Sequence, residues 1–166
     1  MILLSTNCDS LSEICARCQL GGGCCHGAHP PLTQRRIDIL IHSGVTSGEI
    51  EFAGYHRLKV KDDGFCVLFD QGGCTVHSAK PETCVAGPFT FDVQGDVLEI
   101  YLKKESICPL VAYLKEDIAA YQAQLDLAVK NILALVRDLS PQELEVILRI
   151  EEPETVKVAE ISLEKG

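Results

Sequence analysis

The sequence predicts an α+β protein: a small cysteine-cluster domain built on short antiparallel hairpins, then a long helix and a second, shorter one. Three observations carry this. Apolar and polar residues alternate over 57–69 and again over 89–102, each stretch interrupted by a Gly-containing turn. Leu114, Ile118, Tyr121, Leu125, Ala128, Ile132, Leu135 and Leu139 step by four and three residues, an unbroken heptad seam. All nine cysteines precede residue 110, so whatever they hold together lies ahead of the helices.

Composition bounds the rest. A length of 166 residues fits one domain, or one with an appendage. Hydrophobic residues make up 46%, enough for a core, but aromatics are 5% and Trp is absent, so Leu, Ile, Val and Cys must fill it. A formal net charge of -9 argues against nucleic acid and anionic membrane surfaces as partners, since both repel an acidic protein. No apolar run approaches the roughly 20 residues a membrane helix needs. The start, Met1 to Cys8, lacks the basic region of a secretory signal, so a cytoplasmic location is expected. Thiols stay reduced there, which favours metal ligation over disulfides.

In chain order, residues 1–14 read as a lead-in with a helical turn near Asp9 or Ser10, and Cys8 there reads as a small apolar residue. Cys15-Ala16-Arg17-Cys18 follows, then a loop ending in Gly21-Gly22-Gly23, then Cys24-Cys25. A C-x-x-C step turns two thiolates toward one point, and the glycines let the loop wrap an ion. Neighbouring side chains diverge, so Cys24 and Cys25 suit two nearby metals or a larger cluster better than one zinc ion. His26 and His29 read as loop residues before Pro30-Pro31. Thr33 reads as the cap of a helix running to Ser43, with Ile37, Leu40 and Ile41 inward and Arg35, Arg36 and Asp38 on the wet side.

Residues 57–61 and 65–69 read as strands about an Asp62-Asp63-Gly64 turn, and 70–73 turn the chain again into Cys74. Pro81 opens a single helical turn that carries Cys84. Phe89 to Val93 and Val97 to Leu102 form another hairpin about Gln94-Gly95-Asp96, and Cys108-Pro109 follows. The heptad seam predicts one helix over 111–139. Ser140-Pro141-Gln142-Glu143 is a capping box that starts the next, stopped by Glu151-Glu152-Pro153. From Glu154 the tail alternates loosely, as an edge strand or a disordered end.

The cysteine pattern resembles the CxxCxxxCC cysteine-cluster proteins, the YkgJ-like group described as a candidate zinc- or iron-chelating domain. Cys15, Cys18, Cys24 and Cys25 match its first motif. Cys66-Val67-Leu68, Gly73-Cys74-Thr75-Val76-His77, Lys80-Pro81-Glu82-Thr83-Cys84-Val85 and Pro88-Phe89 match its second. The resemblance covers about residues 15 to 110. Five residues, not three, separate Cys18 from Cys24; His77 replaces the family's Tyr, and Lys80 and Val85 replace two arginines. Every thiol is kept. One branch of the family, the flagellin lysine-N-methylases, is enzymatic; this chain is short and shows no G-x-G nucleotide loop, so that activity is not carried over.

The expected ligands are Cys15, Cys18, Cys24, Cys25, Cys66, Cys74, Cys84 and Cys108, enough for two four-thiolate sites or one large centre. The first expectation is an iron–sulfur or other polynuclear iron protein serving electron transfer, cluster handling or a redox complex. The alternative is a zinc-stapled interaction module without redox chemistry. No Ser/His/Asp set, paired-acid motif or H-E-x-x-H supports an enzyme, and His77 and Glu82 read as turn and surface residues. The expected organisation is a metal-stapled domain over 1–110 and a helical extension over 111–166, packed on it or on a partner. At about 1.5 Å per residue the helix over 111–139 would run roughly 40 Å. The helix from Pro141 is too short to shield that seam, so a partner helix from a second copy or another protein is expected to cover the remainder.

Overall fold

The computed structural model of the chain describes residues 29–70, 73–108, 110–150 and 154–163. Thr33 caps α1 (Gln34–His42) as its sequence predicts, its hydroxyl accepting the Arg36 amide at 3.1 Å. Ile37 and Leu40 turn inward from this helix. β1 (Ile50–Phe52) pairs antiparallel with β2 (His56–Leu58) about a turn at Gly54. β1 was not expected, although Ile50-Glu51-Phe52 alternates as a short strand does. A Cβ on Gly54 would come within 3.0 Å of the Val146 side chain, so glycine permits both the turn (φ +82°) and the close approach.

The strand expected over 65–69 forms differently. Cys66 bridges Val60, then the chain turns and the Phe69 amide donates to the Cys66 carbonyl at 2.8 Å. Pairing resumes between β3 (Phe69–Asp70) and β4 (Gly73–Cys74). A turn around a cysteine has overridden the alternation. α2 (Glu82–Ala86) follows Pro81, as expected. β5 (Phe89–Gln94) and β6 (Val97–Lys103) form the predicted hairpin, closed by Gly95 and Asp96 with Gly95 at φ +60°.

The single long helix expected over 111–139 is two: α3 (Leu110–Glu116) and α4 (Ile118–Asp138). Asp117 breaks it. Its backbone is extended (φ -131°, ψ 98°) and its carboxylate accepts the Ala120 amide at 3.0 Å, a cap inside the heptad pattern. Ile118, counted in the seam, is 84% exposed, whereas Ala128, Ile132 and Leu135 are fully buried. α5 (Pro141–Leu148) starts at the predicted capping box. The tail is ordered as β7 (Thr155–Ser162), which pairs antiparallel with β6 and completes a sheet of order β5-β6-β7.

Two larger apolar clusters and one smaller one result. One joins Leu98, Ile100 and Leu102 of β6 and Phe89 of β5 to α3 and α4. Here Phe89 and Tyr121 meet edge to face at 5.7 Å. The other gathers Leu32, Ile37, Leu40, Leu58 and Leu68 around Cys66, with Cys74 packed beside it. Tyr55, Leu135, Leu139 and Ile147 form a third, smaller cluster between α4, α5 and the β1–β2 turn. Ala128, Ile132 and Leu135 on the apolar stripe of α4 are therefore covered from within the chain, while Tyr121 and Leu125 are half-buried. Among the described residues no helix is long and apolar enough to cross a membrane.

Candidate metal centre

Of the eight expected ligands, Cys66, Cys74, Cys84 and Cys108 lie among the described residues. Cys15, Cys18, Cys24 and Cys25 lie outside them, as do Cys8 and His26. Cys66 and Cys74 are brought together by the turn just described. Residue 69 sits opposite Cys74 across the β3–β4 ladder, while its amide reaches back to Cys66. Thr75 fixes the other side: its amide and hydroxyl both donate to the Leu68 carbonyl, at 2.8 and 2.9 Å.

The surroundings of Cys66 have a definite electrostatic character. Burial pushes its thiol above the ordinary range. The Leu68 amide, which donates to the sulfur, and the nearby Lys61 ammonium both pull it back, while Cys74 and Glu49 oppose ionisation. Lys61 is held in place by donating to the Phe69 carbonyl at 2.8 Å. An amide aimed at sulfur and a fixed ammonium favour a thiolate, but burial wins in the metal-free protein. A metal ion bound at Cys66 would have to displace that proton, and the amide and Lys61 would stabilise the resulting thiolate.

Cys84 sits on α2, its amide donating to the Pro81 carbonyl at 3.0 Å, and its side chain is exposed. Five residues make too short a helix to stand alone, and two clamps hold it. At its C-terminal end the buried Gln124 amide donates to the Val85 and Ala86 carbonyls at 2.9 and 3.2 Å. At its start, Arg36 donates through Nε and Nη2 to Glu82 Oε1 at 3.1 and 2.9 Å, and through Nη1 to the Ala79 carbonyl at 3.0 Å. Arg36 and Glu82, expected on the surface, are thus a largely buried pair with Glu82 only 6% exposed. Their separation of 46 residues left no local signal that each had a partner.

Cys108 is placed elsewhere, just ahead of α3, where it packs against the cluster under the sheet. Among the described residues no three or more His, Cys, Asp or Glu side chains form a group that could hold a metal. The structure brings Cys66 and Cys74 together and leaves Cys84 and Cys108 on separate elements. His29 contributes its carbonyl to the Tyr55 hydroxyl at 3.4 Å, and its buried Nδ1 has no hydrogen-bond partner among the described residues.

These environments order the thiols by reactivity. In metal-free protein at pH 7, brief iodoacetamide treatment should modify Cys84 well before Cys66, as read by peptide mass spectrometry. The raised Cys66 thiol holds its proton longer folded than unfolded. Its contribution to stability is therefore present below the ordinary thiol range and lost as pH rises through the folded value. Alkylation of Cys66 should accelerate over that same alkaline window. Equal rates at Cys66 and Cys84 at neutral pH would contradict the burial.

A family model described as "Putative zinc- or iron-chelating domain" matches residues 14–109, more than half of the chain. That span takes in all eight expected ligands. No curated protein and no solved structure matches the chain significantly.

Proposed function

The chain belongs to the CxxCxxCC family, described as zinc- or iron-chelating, and on that premise we propose that it carries an iron–sulfur or other polynuclear iron centre on its clustered cysteines. The observation that best supports this is the pairing of Cys66 and Cys74 in one cluster, with the Leu68 amide on the Cys66 sulfur and Lys61 nearby. Amide donors to sulfur and a nearby cation are what tune a thiolate-bound iron centre. Cys15, Cys18, Cys24, Cys25, Cys84 and Cys108 would supply the remaining thiolates, the adjacent pair 24–25 serving two metals. Such a centre suits electron transfer, cluster handling or a place in a redox complex in the cytoplasm. In this reading residues 1–110 are the metal-binding unit, and 111–166 add the C-terminal helices and the strand β7 that completes its sheet.

A zinc-stapled module is the second reading. It is favoured by a cluster around Cys66 that is nearly all aliphatic and so gains from a metal crosslink. Protein purified without oxygen separates the two. The iron reading expects brown protein absorbing near roughly 400 nm, with bound iron and acid-labile sulfide. Colourless protein with stoichiometric zinc would leave the structural module in its place.

A further inference from the structure

We propose that the outer edge of β7 pairs with β7 of a second copy of this chain, joining two three-stranded sheets into one continuous sheet. The inference is independent of the metal-binding reading and concerns a part of the molecule that reading does not use. β7 is the edge of the sheet of order β5-β6-β7, and among the described residues no strand pairs with its outer side. It is eight residues long, and an edge strand presents a row of backbone donors and acceptors to which another strand can add.

The chemistry of this edge is self-complementary in one register. Leu98, Ile100 and Leu102 of β6 are buried, and their partners on β7 are Ile161, Ala159 and Val156, so these three share the inner face. Lys157 and Glu160 lie opposite Tyr101 and Glu99, on the outer face. Residues three apart ordinarily point to opposite sides of a strand. Here the register skips Val158, which puts Lys157 and Glu160 on the same side. Two copies of a strand that pair antiparallel about a two-fold axis set facing residues on the same side of the sheet. Because of the skip, Lys157 can face the partner's Glu160 and Glu160 the partner's Lys157, while Val156 and Ile161 face each other's copies on the inner side.

What the edge exposes fits that partner. Val156 is 57% exposed, and Val158 and Ile161 are half-buried, so the inner face carries apolar surface out to the edge for a second β7 to cover. Edges are commonly guarded by a lysine or a bulge. Neither guards this one. Lys157 Nζ donates to Glu99 Oε2 at 3.0 Å and to Glu160 Oε1 at 2.6 Å, so no bare cation meets an approaching strand. The bulge is what brings the opposite charges into register. A strand of one charge sign would satisfy only Lys157 or only Glu160, whereas a second copy satisfies both.

Pairing along one strand buries little area, so the dimer is expected to be weak, with a dissociation constant on the order of 10 µM. Sedimentation of the full-length protein as purified, from about tenfold below that value to tenfold above it, should show the mass moving from one chain toward two. Glu160→Lys sets like charges across both contacts and should raise the constant about tenfold or more, and Lys157→Glu should do the same. Mixed in equal amounts, the two variants regain opposite charges at both contacts and should form a mixed dimer that neither forms alone. Circular dichroism checks that each variant is folded. Should Lys157→Glu fail to fold beside Glu99, Glu160→Gln takes the place of the mixture and should weaken the dimer less than Glu160→Lys does. A wild type that stays one chain overturns the proposal. So does a dimer unchanged by Glu160→Lys, a mixture of folded variants that does not reassociate, or equal weakening by Glu160→Gln and Glu160→Lys.

Discussion

Cys18→Ser and Cys74→Ser are each expected to strip most of the metal and to unfold the cluster around Cys66, whereas Cys8→Ser should leave both metal and fold nearly intact. A structural thiolate site supplies on the order of 10 kcal/mol of folding free energy. A whole domain is stable by only about 5–15 kcal/mol, so losing the site removes most of the margin. The elements concerned cannot absorb that loss. β3 and β4 contribute two residues each and α2 five, and a helix that short does not persist without its clamps. The aliphatic cluster of Leu32, Ile37, Leu40, Leu58 and Leu68 would remain, with little else to order its turns. The sheet of β5, β6 and β7 under α4 has its own buried core and should survive. Metal analysis with amide hydrogen exchange reads both parts of the expectation. Metal lost in Cys8→Ser but retained in Cys18→Ser would show that the ligands are misassigned.

Features whose cause lies within a few residues were legible from sequence. The Thr33 and Ser140 caps, the Gly95 turn and the Pro81 start of α2 each depend on a local bond or backbone angle, and each forms where expected. The misses share a different origin. Asp117 is also a local cap, but the heptad spacing of Leu114 and Ile118 ran across it and outweighed it. Cys66 ends a strand early because its carbonyl and sulfur each take an amide, which alternation does not register. Arg36 and Glu82 read as solvated because a buried charge is recognisable only through its partner, here 46 residues away. β7 was ambiguous for the reason edge strands usually are: half its side chains stay wet, so its pattern is weak. The cysteines lie between these cases. Their number and spacing announce a metal site, but which thiols meet is decided by tertiary packing, which gathers Cys66 and Cys74 into one cluster.

Ile132→Ala is expected to destabilise the protein by about 2–5 kcal/mol, while Ile118→Ala should change stability by less than about 0.5 kcal/mol. Both residues occupy the same heptad seam, so periodicity alone ranks them equally. The structure does not: Ile132 is fully buried, and Ile118 is 84% exposed beside the Asp117 cap. Removing three carbons at Ile132 leaves a cavity between α4 and the sheet that close packing cannot readily fill. For a chain of this size a loss of about 3 kcal/mol lowers the melting temperature by roughly 6–12 °C, since each kcal/mol is worth about 2–4 °C. The cover is supplied by the chain's own strands and by Tyr55, Leu139 and Ile147 at the far end of α4. With pairing through β7 removed by Glu160→Lys, the melting temperature should therefore not depend on protein concentration. A midpoint that still climbs with concentration, or a large penalty in Ile118→Ala, would mean that a second chain lies along the stripe after all.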